Sequence, residues 1–234
     1  TDETVDVLKE FKHLRVLVEP DRGQCDAFNK GVAMARGEWI LWLNADDFML
    51  PGVMQAYLKE IQNHGGFDVL YGHMVFVNEM GDEIRTILQP KWNYWMMWFG
   101  VYGLPSTGTL YRADLLRKAP LDIDFHMIMD SEWNLRNGRD LRVHRLRRKS
   151  VAFRVTADNK TSGNIQTGGI TPRHAHEREI LNQRYPCYNA PSGSKSGKNI
   201  PIVQHVIRRV LRGQVLMDKG WSKFISLFQS HKSV

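Results

Sequence analysis

The sequence feature that most constrains the fold is an apolar segment that runs directly into two acidic residues. Residues 39–43 are all apolar, and Asn44, Ala45, Asp46 and Asp47 follow at once. Such a run is typical of a buried strand, and open α/β sheets usually bind ligands beyond their strand ends. Two adjacent carboxylates repel each other unless a divalent cation such as Mg²⁺ or Mn²⁺ binds them. The segment therefore predicts a metal and nucleotide site, with a solvated acidic turn as the alternative.

Predicted strands and helices alternate around this segment. The strands are residues 14–18, 38–43, 68–76, 83–88, 108–112 and 141–155. The helices are one that carries Val5, Leu8 and Phe11, and then residues 26–35, 51–64, 114–118 and 130–137. This alternation predicts an α/β fold with a mainly parallel sheet and helices on both faces.

Composition limits the expected cellular location of the protein and the chemical classes of its partners. The 234 residues carry a net charge of +7, which favours anionic partners such as nucleotides, anionic lipids or nucleic acid. We expect no nucleic-acid partner, because no nucleic-acid-binding motif accompanies the arginine-rich residues 139–148. No apolar run approaches the roughly 20 residues of a membrane span, and there is no signal-peptide pattern. Cys25 and Cys187 form no metal or redox motif. We therefore expect a reducing, cytoplasmic location.

Three ordered blocks then carry a resemblance to a known family. Residues 19–31 contain Gly23-Gln24, Asn29 and Gly31, the acidic turn follows, and residues 121–136 place an acid before a helix with Trp and Arg. Together with Phe153-Arg154, these blocks resemble family 2 glycosyltransferases over about residues 1–165. The resemblance implies a GT-A fold, with a Rossmann-type mixed sheet flanked by helices. Residues 1–11 resemble the family's segment after its second strand, so we expect an N-terminally truncated domain.

The resemblance also implies a reaction and a set of site residues. It implies a hexosyltransferase-like, inverting enzyme that moves a sugar from a nucleoside diphosphate sugar to a hydroxyl of a glycan or lipid-linked acceptor, assisted by Mn²⁺ or Mg²⁺. Asp130 is the expected general base, although it is also a good helix N-cap, and Glu132 and Asp124 are other candidates. Asp47 is expected to contact the metal directly, and Asp46 to contact the metal or the ribose. The expected donor-site residues are Arg22, Gln24, Asp26, Asn29, Lys30, Asn44, Asp46 and Arg154. The alternative is an inactive, truncated domain that binds sugars or partner proteins.

Several further features allow more than one interpretation. The resemblance implies a metal-binding His soon after Arg154, but none is present; Asp158 could substitute. His174 and His176, spaced to share one face of a strand, are either metal ligands or two solvated residues of a loop. The aromatic residues of 92–102 are either an acceptor platform or core. We expect the transferase domain to span residues 1–188, with a linker at 189–198. Residues 199–234 are expected to form a basic amphipathic helical tail. That tail either lies on the inner surface of a membrane or packs against protein.

Overall fold

The computed structural model describes residues 2–156, 159 and 171–185. The predicted linker and tail, and the predicted substitute ligand Asp158, lie outside these residues. Within the described part of the chain, no helix is both long enough and apolar enough to cross a membrane.

The described residues form six strands, seven α-helices and one 3₁₀ turn. The strands are β1 (Trp39–Trp42), β2 (Phe48–Met49), β3 (Val69–Val77), β4 (Glu83–Ile87), β5 (Thr109–Arg112) and β6 (Val143–Arg154). The helices are α1 (Thr4–Lys9), α2 (Gln24–Met34), α3 (Val53–His64), α4 (Tyr94–Trp98), α5 (Ala113–Lys118), α6 (Met129–Asn137) and α7 (Pro172–Arg184). The 3₁₀ turn is Gly138–Asp140.

The sheet is mixed, as the resemblance implies, and the expectation of a mainly parallel sheet is wrong. Its order is β1-β5-β3-β6-β2, and β4 pairs with β3. Among the described strands, β3 and β6 form the single parallel pair. The reason is that β5 inserts between β1 and β3 and runs antiparallel to both. Alternation along the chain cannot reveal such an insertion.

Strand β3 lies at the centre of two hydrophobic layers. Val69 and Tyr71 belong to a core cluster with residues of α2 and α6, whereas Leu70 belongs to a second cluster with residues of α3. Side chains of successive strand residues point to opposite faces of a sheet. Helices therefore cover both faces, as predicted, and all three side chains are fully buried.

The first part of the chain differs from the core. Helix α1 has no buried residue, and its N-cap is Glu3. The strand predicted at residues 14–18 is absent, and Val18 is 66% exposed. No described strand pairs with this segment, so its apolar residues have no surface against which to form a ladder.

The second half contains two helices that the sequence pattern did not predict. Helix α4 begins after Asn93, whose side chain accepts a hydrogen bond from the backbone N–H of Trp95 at 2.9 Å. Helix α7 begins after Thr171, which accepts from the N–H of His174 at 3.2 Å. Both caps are typical of helix starts. The strand and loop predictions for His174 and His176 are therefore wrong, because both lie in α7.

Candidate functional site

A cleft of about 750 Å³ opens at the carboxyl end of β1. This volume lies within the range of small-molecule sites in proteins. Its walls come from α2, from the turn that follows β1, and from the segment that leads into α6. The lining includes Gln24, Phe28, Gly31, Trp42, Asn44, Asp46, Ser106, His126, Met127, Asp130, Phe153 and Asn159. The cleft thus brings together residues from all the sequence blocks that carry the resemblance.

Asp47 lies behind the wall of the cleft. It is 7% exposed and is not among the residues that line the cleft. One carboxylate oxygen accepts from the Asn44 side-chain amide at 2.9 Å, and the other accepts from the backbone N–H of Arg154 at 3.0 Å. Burial raises the pKa of the Asp47 carboxyl, and these hydrogen bonds oppose the rise. Its contacts make it a support of the turn.

Asn44 links this support to the cleft. Its side-chain oxygen lies 3.3 Å from the indole nitrogen of Trp42 and 3.4 Å from the amide nitrogen of Gln24. Its amide nitrogen donates to Asp47. A carboxylate at this position could accept from Trp42 and Gln24 but could not donate to Asp47. The neutral side chain of Asn44 is therefore matched to the buried acid beside it.

Asp46 is the acid of the pair that faces the cleft. It is exposed, and one of its oxygens accepts from the side-chain amide of Asn159 at 2.7 Å. Mg²⁺ usually keeps several waters and binds one or two carboxylates together with substrate phosphates. A single exposed carboxylate in a cleft fits that coordination chemistry. No cluster of three or more His, Cys, Asp or Glu side chains suited to a metal occurs within the described ranges.

Asp130 lies on the opposite wall, in the first turn of α6. The N-cap of α6 is Ile128, so the alternative interpretation of Asp130 as the N-cap is wrong. Its carboxylate nevertheless accepts from the backbone N–H of Ser131 at 2.7 Å, which is one of the donors that a helix start leaves unpaired. Burial raises the pKa of the Asp130 carboxyl above its ordinary value. A raised pKa makes a carboxylate a stronger base.

The other two candidate bases occupy different environments. Glu132 is 1% exposed, and Arg136 forms a two-pronged pair with it at 2.8 and 2.9 Å. Asp124 is exposed. Neither lines the cleft. Of the three acids proposed as base, Asp130 is the one at the cleft wall.

Helix α2 presents only some of its predicted donor-site residues to the cleft. Gln24 lines it, but Asn29 exchanges two hydrogen bonds of 2.9 Å with the backbone of Leu121. The Lys30 ammonium binds the backbone oxygen of Pro20 at 2.8 Å. That ammonium also pairs with Glu19 and Asp26. Asp26 accepts from the backbone N–H of Arg22 at 3.0 Å, and Arg22 itself is 72% exposed. These four residues organise the structure around the cleft.

Gly23 lets α2 approach the opposite wall. Its φ is +110°, and a Cβ at this position would lie 2.6 Å from Nδ1 of His126. Only glycine combines that backbone conformation with so close an approach. The imidazole of His126 therefore packs against the start of α2, where the two walls meet.

Strand β6 closes the cleft behind the acidic turn. The Arg154 guanidinium donates to the backbone oxygens of Asp46, at 3.1 Å, and of Glu79. Arg154 thus holds the turn and does not line the cleft, whereas its neighbour Phe153 does. His126 and Asn159 are cleft residues that sequence reasoning missed. His126 lies within the block at residues 121–136 that carries the family resemblance. Its position in the sequence, shortly before Asp130, was the signal that could have identified it.

The aromatic segment packs mainly against α6. The Tyr94 hydroxyl donates to the backbone oxygen of Leu135 at 3.1 Å, and the Trp92 indole lies 3.3 Å from that of Gly138. Trp95 is 49% exposed. None of the three lines the cleft. Packing thus accounts for Trp92 and Tyr94, and the acceptor platform stays a prediction for the exposed ring.

Comparison with known proteins identifies the family. The family model described as Glycosyl transferase family 2 matches residues 1–134, which include the α2 block, the acidic turn and Asp130. The chain belongs to glycosyl transferase family 2. The acidic turn and Asp130 therefore lie within a domain of that family.

The similar proteins agree with this family. An uncharacterized glycosyltransferase from Methanocaldococcus jannaschii is 29% identical over 94 residues, which cover 38% of this chain and 32% of that protein. A PGL/p-HBAD biosynthesis glycosyltransferase from Mycobacterium bovis is 35% identical over 81 residues, or 32% of each chain. The chain thus spans about a third of the length of these relatives.

Solved structures support the GT-A fold. TarS residues 1–349 from S. aureus, in complex with UDP-GlcNAc, matches this chain with a TM-score of 0.54 and 17% identity. That match covers 78% of this chain and 59% of TarS. A second structure of the same TarS fragment matches with a TM-score of 0.55 and 18% identity, over 89% of this chain and 66% of that one.

Proposed function

We propose that the chain is a metal-assisted, inverting glycosyltransferase that moves a hexosyl group from a nucleoside diphosphate sugar to an acceptor hydroxyl. One observation supports this most: Asp46 and Asp130, from sequence segments more than 80 residues apart, line the same cleft in a family 2 domain. A donor-side acid and an acceptor-side base on opposite walls suit a displacement at a carbon held between them.

The chemistry divides between the two walls. The acceptor oxygen forms a bond to the anomeric carbon as the bond from that carbon to the diphosphate breaks. The electron pair of the breaking bond leaves with the diphosphate. Asp130 takes the proton of the acceptor hydroxyl; a positioned base typically contributes about 100- to 10,000-fold. A divalent cation bound at Asp46 would neutralise charge on the departing diphosphate as a Lewis acid. Gln24, Asn44 and Asn159 surround the Asp46 side of the cleft and orient the donor.

The donor is a nucleotide sugar, and UDP-GlcNAc is the first to test, since TarS in complex with it has the same fold. Wild-type protein should be assayed with UDP-GlcNAc, UDP-glucose, GDP-mannose and dTDP-rhamnose, and nucleoside diphosphate release measured with Mn²⁺ and with EDTA. We expect Mn²⁺-dependent release from at least one donor.

A pair of variants makes this test specific. Asp46→Asn should reduce the release at least 100-fold, because the cation-facing carboxylate is lost. Asp114→Asn removes an exposed carboxylate on α5 and should leave the release unchanged. Release that is insensitive to EDTA and to Asp46→Asn would contradict the metal assignment. A folded wild-type protein that turns over no donor would instead support a domain that binds sugars or partners without catalysis.

A further inference from the structure

A buried acid on α7 has no part in the chemistry described so far. Glu177 is 2% exposed, although carboxylates are seldom fully buried without partners. Its carboxylate accepts hydrogen bonds from three consecutive backbone N–H groups: His126 at 2.9 Å, Met127 at 2.8 Å and Ile128 at 3.2 Å. Arg173, one turn earlier on α7, lies 3.3 Å from the same carboxylate. The acid is therefore fully engaged with one short piece of backbone.

That piece of backbone is the wall of the cleft that carries Asp130. His126 and Met127 line the cleft, and Ile128 is the N-cap of α6. Asp130 follows two residues later, in the first turn of the helix. Because backbone geometry is continuous over so few residues, whatever fixes residues 126–128 also fixes the direction in which the Asp130 carboxylate enters the cleft.

Other hydrogen bonds and ion pairs hold the residues that precede this segment. From α2, Cys25 donates to the backbone oxygen of Phe125 at 3.0 Å, and Asn29 binds Leu121. From α7, Arg184 pairs with Asp122 at 2.8 Å. The N–H groups of residues 126–128 are left to Glu177. A charged acceptor makes stronger hydrogen bonds than a neutral one, so the carboxylate suits this task.

We propose that Glu177 is a positioning residue, which holds the backbone of residues 126–128 and thereby places the Asp130 carboxylate at the reacting centre. The proposal rests on the proposed function, in which Asp130 is the base. A displacement of about 1 Å at a reacting group can cost about 100-fold in rate. Glu177 does not touch the cleft, so its loss should act on the chemical step more than on donor binding.

The test compares Glu177→Gln with Glu179→Gln in the full chain. Gln has the same shape as Glu, but one carboxylate oxygen is replaced by an amide nitrogen. That nitrogen cannot accept a hydrogen bond from the backbone N–H groups that face it. Glu179 lies two residues away on the exposed side of α7, where it contacts Gln183. Glu177→Asp, which keeps the charge on a shorter side chain, provides a milder variant if Glu177→Gln does not fold.

Two measurements are made on each variant. Hydrogen–deuterium exchange of residues 126–128 should speed up at least 10-fold in Glu177→Gln and stay unchanged in Glu179→Gln. With the best donor of the panel, kcat should fall about 10- to 100-fold in Glu177→Gln, whereas the KM for the donor should change less than about 3-fold. Glu177→Asp should lie between the wild type and Glu177→Gln in both.

Distinct results contradict each proposal. Unchanged exchange at residues 126–128 in Glu177→Gln, or an unchanged kcat, would overturn the positioning role. A parallel loss in Glu179→Gln would overturn it as well, because the effect would then belong to α7 in general. An inactive wild type would contradict the proposed function alone, and the exchange measurement would still decide whether Glu177 holds the segment.

Discussion

The turn at residues 44–47 (the first wall) and the segment at residues 126–130 (the second wall) face the same cleft. The hydrogen bonds that hold them run in opposite directions. In the turn, the side chain of Asp47, just behind the cleft surface, accepts from a backbone N–H of β6. In the segment, the backbone of the wall donates to a remote side chain, Glu177. The first wall can therefore be disturbed by substitution within its own motif. The hydrogen bonds to Glu177 that hold the second can be removed only by a substitution outside it, because their donors are backbone N–H groups.

The largest expected effect is the loss of activity when the proposed base, Asp130, is replaced. Asp130→Asn keeps an oxygen that can accept from the Ser131 N–H but removes the base. We expect turnover to fall about 100- to 10,000-fold, with little change in donor affinity, as measured by steady-state kinetics and calorimetry. Asp124→Asn, an exposed acid six residues earlier, should keep full activity. Retained turnover in Asp130→Asn would remove Asp130 as the base.

The next effect disturbs the first wall from within its motif. Asn44→Asp would place a carboxylate about 3 Å from that of Asp47 and remove the amide donor between them. We expect the free energy of unfolding at pH 7 to fall by about 1–3 kcal/mol. The paired acids would share a raised pKa, so the deficit should vanish as the pH falls below about 4.

A matched substitution at the β3–β4 hairpin controls for the loss of one amide. Asn78 donates to the Asp82 carboxylate at 3.0 Å, in an exposed pair of the same chemistry. Asn78→Asp should cost less than about 1 kcal/mol in the same urea titrations, since water screens exposed charges. Equal losses at both sites would mean that burial of Asp47 has no influence on the first wall.

A third comparison addresses the point where the walls meet. Gly23→Ala would force a strained backbone and drive a methyl group against His126. We expect a loss of about 1–3 kcal/mol in the free energy of unfolding. Gly31→Ala lies on the same helix, where a Cβ meets nothing within 4 Å, and should stabilise the protein by about 0.5–1 kcal/mol. If Gly23→Ala and Gly31→Ala shifted the thermal unfolding midpoint in the same direction, the close contact between Gly23 and His126 would not explain the loss.

The smallest effect concerns the charge on the second wall. The pKa of Asp130 is raised by burial, so its ionisation costs folding stability once the pH exceeds the ordinary value. Asp130→Asn should therefore be more stable than the wild type at pH 7, and the two should converge below about pH 4. Urea unfolding across this range measures the difference. Asp124→Asn should show no such gain, and a gain in it would point to net charge instead.

Short-range patterns predicted several features of the cleft. The apolar run of β1, the glycine before α2 and the acid in the first turn of α6 are each encoded within about ten residues, and each lies where the pattern indicates. Contacts over longer distances were not accessible. The insertion of β5 between β1 and β3 depends on pairing, which no local pattern reveals. The sequence did not reveal either that Asn29 and Lys30 of α2 donate to the backbone oxygens of Leu121 and Pro20.

The second wall illustrates the same limit. The block at residues 121–136 predicted the acid, but nothing within it indicates that its backbone hydrogen-bonds to a carboxylate some 50 residues away. The region of α7 is polar, with no strong apolar period, and its two histidines were interpreted as solvated loop residues or, alternatively, metal ligands. Its anchoring residue, the fully buried Leu181, is recognisable only once the core is known.

The contact between α7 and residues 126–128 also dictates an order of assembly. It closes a loop of about 50 residues, so it forms only after the chain has been synthesised well past the end of the family match at residue 134. A contact between residues so distant in sequence requires the loss of loop-closure entropy before its hydrogen bonds form. Such contacts therefore tend to form late in folding. A chain cut at residue 134 would contain both acids of the cleft, yet it would lack β6 and α7, which hold their walls.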